Sequence, residues 1–102
     1  MLSIGEQLRK LREDQRLPLR KVAAELDIDQ SILSKIERGE RKATKEQIIH
    51  IATIFNVNEK ELLINYLSDL VLYELRDEAL ATDALKVAEK KIKYMTKSQN
   101  GK

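Results

Sequence analysis

Apolar positions recur at helical spacing through nearly the whole chain. Ile4, Leu8 and Leu11 stand at i, i+4 and i+7 and predict a first helix over about 4–16, with Ser3 and Glu6 spaced as a reciprocal cap at its start. Val22, Ala23 and Leu26 share one face of a second helix, and Leu33 and Ile36 repeat the pattern in a third. Only Asp27, Ile28 and Asp29 lie between them, so two apolar faces this close must pack on each other. Ile48, Ile51, Ala52 and Phe55 predict a fourth helix over about 45–55, capped by Thr44 and Gln47. Asn58 and Glu61 repeat the capping signal and start a fifth helix at about Glu59. Its stripe of Leu62, Leu63, Tyr66, Leu67, Leu70 and Val71 runs past the point where a compact five-helix domain can end.

The connections have their own chemistry. Asp27 suits the left-handed backbone of a tight turn better than most residues, and Ile28 can plug the gap between the second and third helices. Asp29 stands where a carboxylate can accept from the first amides of the third helix, and Gly39 where a left-handed terminator belongs; these bound the helix to about 30–38. Pro18 falls just before or at the start of the second helix, where a missing amide costs nothing. With one proline, three glycines and no sustained apolar–polar alternation, strands have little support. The expectation is an all-α chain: a five-helix domain over 1–67 and a helical extension over 68–102 with a frayed basic end.

Composition removes several function classes. A chain of 102 residues limits the core and leaves no room for a large catalytic cleft. It has no cysteine, hence neither a disulfide framework nor a thiolate metal site. No apolar stretch approaches a membrane span and the first residues lack a signal-peptide pattern, so a cytoplasmic protein without membrane contact is expected. His50 lies beside the fourth apolar stripe without a second His or a spaced carboxylate set, so no metal, cofactor or catalytic residue is assigned. Formal charge is only +2, and a nucleic-acid role must therefore rest on where the charges sit.

Residues 4–67 resemble the phage-repressor and Cro-type helix-turn-helix proteins, the XRE family. The likeness is carried by Ala23, the three-residue turn, and the run Leu33-Ser34-Lys35-Ile36-Glu37-Arg38-Gly39-Glu40-Arg41. It implies a five-helix lambda-repressor-like fold with an added C-terminal helix, whose third helix enters the major groove of double-stranded DNA. Gln30, Ser31, Ser34 and Lys35 are then the base-contacting residues: Gln can pair with adenine, Lys with guanine, and Ser with either. Ile32 can reach a thymine methyl if it is not packed. Arg38, Arg41 and Lys42 in the following loop, and Arg20 and Lys21 in the first turn of helix 2, are the phosphate contacts. Two departures qualify the likeness: Leu19 stands where a phosphate-binding Gln is usual, and Asp27 replaces the usual turn glycine. Asp29 and Glu40 add further negative charge near the duplex.

The extension is acidic at first, through Asp69, Glu74, Asp77, Glu78 and Asp83, and basic at its end, through Lys90, Lys91, Lys93, Lys97 and Lys102. Ala81, Leu85, Ala88, Ile92 and Met95 recur at alternating steps of four and three, a heptad seam too short for a free coiled coil. It must pack on helix 5 or on another subunit. One recognition helix discriminates few base pairs, at about 1 to 3 kcal/mol per mismatch, so a homodimer reading a palindromic operator is expected. Its contact is assigned to Leu67, Leu70, Val71, Leu85, Ala88 and Ile92. The resulting expectation is a transcriptional regulator, not an enzyme, with no small-molecule substrate; a restriction-modification controller is close in class. The alternative is an antitoxin or adaptor whose C-terminal helices bind a protein partner.

Overall fold

The computed structural model describes residues 1–100 and contains six α-helices and no strand among them. The helices are α1 (Ile4–Asp14), α2 (Leu19–Glu25), α3 (Gln30–Glu37), α4 (Lys45–Phe55), α5 (Glu59–Leu75) and α6 (Ala81–Asn100). The chain divides into two compact units, Met1–Val71 and Leu72–Lys102, with the division inside α5. Lys102, counted above in the basic end, lies outside the described residues.

Local chemistry explains the boundaries of the first unit. Both expected capping boxes form: the Ser3 hydroxyl accepts from Glu6 N–H at 3.2 Å while the Glu6 carboxylate accepts from Ser3 N–H at 3.1 Å. Thr44 and Gln47 repeat the arrangement at 3.1 and 2.8 Å. Asn58 caps α5 through Glu61 N–H at 2.9 Å. At their C-termini α1 to α4 all stop on a residue in left-handed conformation: Arg16 (φ 57), Asp27 (φ 56), Gly39 (φ 76) and Asn56 (φ 55). The next amide then folds back onto the last helical turn, as in Glu40 N–H to Lys35 C=O at 2.9 Å and Ile28 N–H to Ala23 C=O at 3.0 Å. Arg16 corrects the predicted end of α1. The helix stops at Asp14, two residues early, because Arg16 turns left-handed although arginine carries no signal for it.

α3 packs against both α1 and α2. The core is formed by Leu8, Val22, Ala23, Leu26, Leu33, Ile36, Ala43, Ile48, Ile51, Ala52, Phe55, Leu62 and Tyr66. Tyr66 is buried with its hydroxyl donating to Ala43 C=O at 3.0 Å, which fixes the loop after α3 onto α5. The start of α1 is held from α5 as well: Ile4 N–H donates to Asp69 Oδ2 at 2.7 Å, and Asn65 Nδ2 to Gln7 Oε1 at 2.6 Å.

The second unit contains the last turn of α5 and α6. Most of its large apolar side chains are exposed in the single chain, among them Leu72, Leu80, Leu85, Ile92 and Met95, whereas Leu75 and Ala81 are half-buried. The Arg76 guanidinium lies 4.0 Å from the centre of the Tyr73 ring, and Lys93 pairs with Glu89 at 2.8 Å. Hydrogen bonding and the opposite charge of the partner hold the Glu89 carboxyl below its ordinary range and the Lys93 ammonium above its own. No described helix is long and apolar enough to cross a membrane.

Candidate nucleic-acid interface

α2, the turn and α3 form two short helices joined at a fixed angle. Val22 and Ala23 of α2 face Leu33 and Ile36 of α3, with Leu26 at the corner. Asp27 takes the left-handed conformation expected of it, and Ile28 is half-buried against the core. Asp29 is the backbone N-cap of α3, but its side chain accepts no capping hydrogen bond. The position was legible and the bond was not: Asp29 has the extended backbone of a cap, φ −67 and ψ 144, without the carboxylate reaching back.

One side of α3 is buried by Leu33, Ile36 and Glu37, and Gln30, Ser31 and Lys35 are exposed on the other. Ser34 lies on the outer face too, half-buried, its hydroxyl accepting from Arg38 Nη1 at 3.0 Å. At about 100° per residue these outer positions cover a continuous arc of about 140°. Ile32 is half-buried and packed on the core, which answers the condition set on it: it is a packing residue. Leu19 is packed there as well, an apolar anchor where the family pattern expects a polar one.

The cations are exposed at both ends of the motif. Arg20 and Lys21 occupy the first turn of α2, and Arg38, Arg41 and Lys42 follow α3. Arg38 is also the C-cap of α3 and pairs through Nε with Glu40, so that acid offsets a neighbouring cation within the loop. Of the residues assigned above to subunit contact, Leu67 and Val71 are exposed on α5, whereas Leu70 is half-buried on the core.

Sequence reading missed the polar brace behind α3. Arg12 on α1 donates from Nε to Glu37 Oε2 at 2.8 Å and from Nη2 to Glu37 Oε1 at 3.0 Å, while Nη1 donates to Leu17 C=O at 3.0 Å. The Glu37 hydrogen bond raises the Arg12 pKa further above its ordinary value. Two charged residues of opposite sign at the edges of two apolar stripes were the only available signal. Gly5 belongs to the same contact. A Cβ there would lie 2.5 Å from Ile36 O and 2.7 Å from Glu37 O, so α1 approaches the end of α3 as closely as glycine alone permits.

Comparison with known families assigns this motif. Residues 8–62, more than half of the chain, match the model of the helix-turn-helix family of XRE type. The chain belongs to this family. The helix-turn-helix chain is thereby a DNA-binding transcriptional regulator with an all-α, lambda-repressor-like fold plus a C-terminal helix. It is similar to the crystal structure of the clp gene regulator ClgR from Corynebacterium glutamicum, with a TM-score of 0.56 and 19% identity over 97% of this chain and 92% of that one. At that identity the likeness shows the fold. Comparison with the curated proteins finds no match. Among the described residues no group of three or more His, Cys, Asp or Glu is placed to hold a metal ion, and His50 is exposed on α4.

Proposed function

We propose that this helix-turn-helix protein regulates transcription by reading double-stranded DNA as a homodimer, each α3 lying in the major groove of one half of a palindromic operator. The observation that carries the reading is the division of α3: Leu33, Ile36 and Glu37 anchor it, leaving Gln30, Ser31 and Lys35 on an open face with Ser34 among them. Gln30 and Lys35 then discriminate adenine and guanine, Ser31 and Ser34 supply shorter contacts, and Arg20, Lys21, Arg38, Arg41 and Lys42 grip phosphates. Ser34 and Arg38 already share a hydrogen bond, so reader and grip are coupled at the end of the helix.

Dimerisation supplies the missing discrimination, because a second recognition helix doubles the base pairs read at about 1 to 3 kcal/mol each. Leu67 and Val71 on α5, with Leu70 beside them, and Leu85, Ala88 and Ile92 on α6 form the contact in this reading. Selection of bound sequences from a random duplex library at moderate salt tests it. An inverted repeat with half-sites about 10 base pairs apart is expected, and recovery of no motif overturns the reading.

A second reading is favoured by the exposed apolar side chains of the second unit: an antitoxin or adaptor whose C-terminal helices bind another protein. It predicts a chain that stays monomeric on its DNA and binds the partner through those side chains.

A further inference from the structure

The Ser34 hydroxyl has a partner whose chemistry fixes its sense. Arg38 Nη1 donates to Ser34 Oγ at 3.0 Å. A guanidinium carries five N–H donors and no acceptor, so in this contact the serine oxygen only accepts. Its own proton is left for another group. Two helical threonines turn that proton back on their own helix: Thr53 donates to Ile49 C=O at 3.5 Å and Thr96 to Ile92 C=O at 3.0 Å. Among the described residues the Ser34 side chain makes no hydrogen bond besides that to Arg38. Half-buried on the outer face of α3, it keeps its proton for whatever meets that face.

The guanidinium is itself held. Its Nε donates to the Glu40 carboxylate. The left-handed turn at Gly39 brings that acid back beside α3, where Glu40 N–H donates to Lys35 C=O at 2.9 Å. Fixed through both Nε and Nη1, the planar fork keeps a cationic donor on the serine oxygen. A charged donor there also polarises the hydroxyl and strengthens its proton as a donor. The Nη2 protons stay open to a phosphate, so Arg38 can brace Ser34 and grip the backbone at once.

Base edges give this arrangement a consequence. In the major groove, purine N7, guanine O6 and thymine O4 accept, whereas adenine N6 and cytosine N4 donate. An unheld serine serves either kind, and one held by Arg38 serves the acceptors. We propose that Glu40 and Arg38 are positioning residues that set the Ser34 hydroxyl as a hydrogen-bond donor, so that Ser34 reads an acceptor on the base edge and not an amino group. The inference rests on Ser34 as a base-reading residue and adds what it reads and what sets it.

The test uses the full-length chain. Library selection with Ser34→Ala should relax one base pair of the parent's motif, and that pair is then altered atom by atom. Acceptors are deleted with 7-deazapurine for N7, 2-aminopurine for guanine O6 or 5-methyl-2-pyrimidinone for thymine O4. Amino groups are deleted with purine for adenine or 2-pyrimidinone for cytosine. One acceptor deletion should cost the parent about two- to tenfold in affinity beyond its cost to Ser34→Ala, and the amino deletions should cost both proteins alike. Glu40→Ala should lose most of that acceptor penalty while binding every duplex more tightly, because an anion has left the loop. Glu40→Gln shares the gain in affinity but keeps a carbonyl to accept from Nε, so it should retain part of the penalty. A full penalty in Glu40→Ala overturns the positioning role and leaves Ser34 a reader. A penalty on an amino deletion instead overturns the donor sense. A Ser34→Ala variant that selects the parent's motif unchanged overturns base reading by Ser34 itself.

Discussion

Arg12 and Glu37 form a two-pronged ion pair across the α1–α3 contact, with their side chains only 14% and 6% exposed. The third prong, Arg12 Nη1 to Leu17 C=O at 3.0 Å, fastens the α1–α2 connection to the same guanidinium. A single side chain thus sets α3 against the elements before it. Removing one partner leaves a buried charge uncompensated. Glu37→Leu or Arg12→Met alone should lower unfolding free energy by about 3 kcal/mol in urea titration, and the double variant should recover most of that loss. A double variant that loses the sum of the two single losses would mean that the pair itself contributes no coupling.

The two glycines at α3 should fail in different ways. Gly5→Ala forces a methyl onto the carbonyl oxygens of Ile36 and Glu37 and should cost about 1 to 3 kcal/mol through displaced helices. Gly39 has open space around its Cβ position and is demanding only through φ +76, so Gly39→Ala should cost about 1 to 2 kcal/mol. Asn separates the cases: Gly39→Asn should recover part of the loss, since Asn tolerates this backbone, and Gly5→Asn should recover none. Thermal unfolding of the four variants measures both.

Acid should loosen the start of α1 before the rest of the first unit. Hydrogen bonds from Ser3, the backbone amide first and the hydroxyl second, hold the Glu6 carboxyl below its ordinary range. A depressed folded value means that the cap stabilises α1 at pH above the ordinary carboxylate range and is lost as pH falls through the depressed value. The Ser3 and Glu6 amide resonances should titrate together in that acid window. Ser3→Ala keeps the amide and removes the hydroxyl, so it should return the Glu6 titration only part of the way towards its ordinary value, and an unchanged midpoint would show that the hydroxyl does not depress it.

Reading and gripping should separate on DNA. Gln30→Ala should lose about 1 to 3 kcal/mol on the selected site and relax one base position. Arg41→Ala should weaken binding to all sequences and reduce the slope of log affinity against log salt by about one. Fluorescence anisotropy at several salt concentrations, on the selected duplex and on a scrambled one, distinguishes them. Identical behaviour of the two variants would refute the division.

Most of the helices and the motif were legible in the sequence because the rules that set them act locally. Apolar spacing, the caps at Ser3 and Thr44, the turn at Asp27 and the stop at Gly39 each operate within about one helical turn. The same run of residues, Leu33 to Arg41, carried the family. Arg16 was missed as a helix end because its left-handed backbone follows from packing, not from a preference of arginine.

What tertiary structure alone decided is how α3 is held and on which side of it Ile32 lies. Arg12 and Glu37 are 25 positions apart, and their pairing depends on the angle between two helices, which no spacing rule encodes. The same angle brings α1 onto the carbonyls beside Gly5 and turns Ile32 inward. The sequence determined the helices, the family and the outward residues of α3 because all are written in local spacing; the brace and the inward packing of Ile32 arose only when the packed core fixed the helices relative to one another.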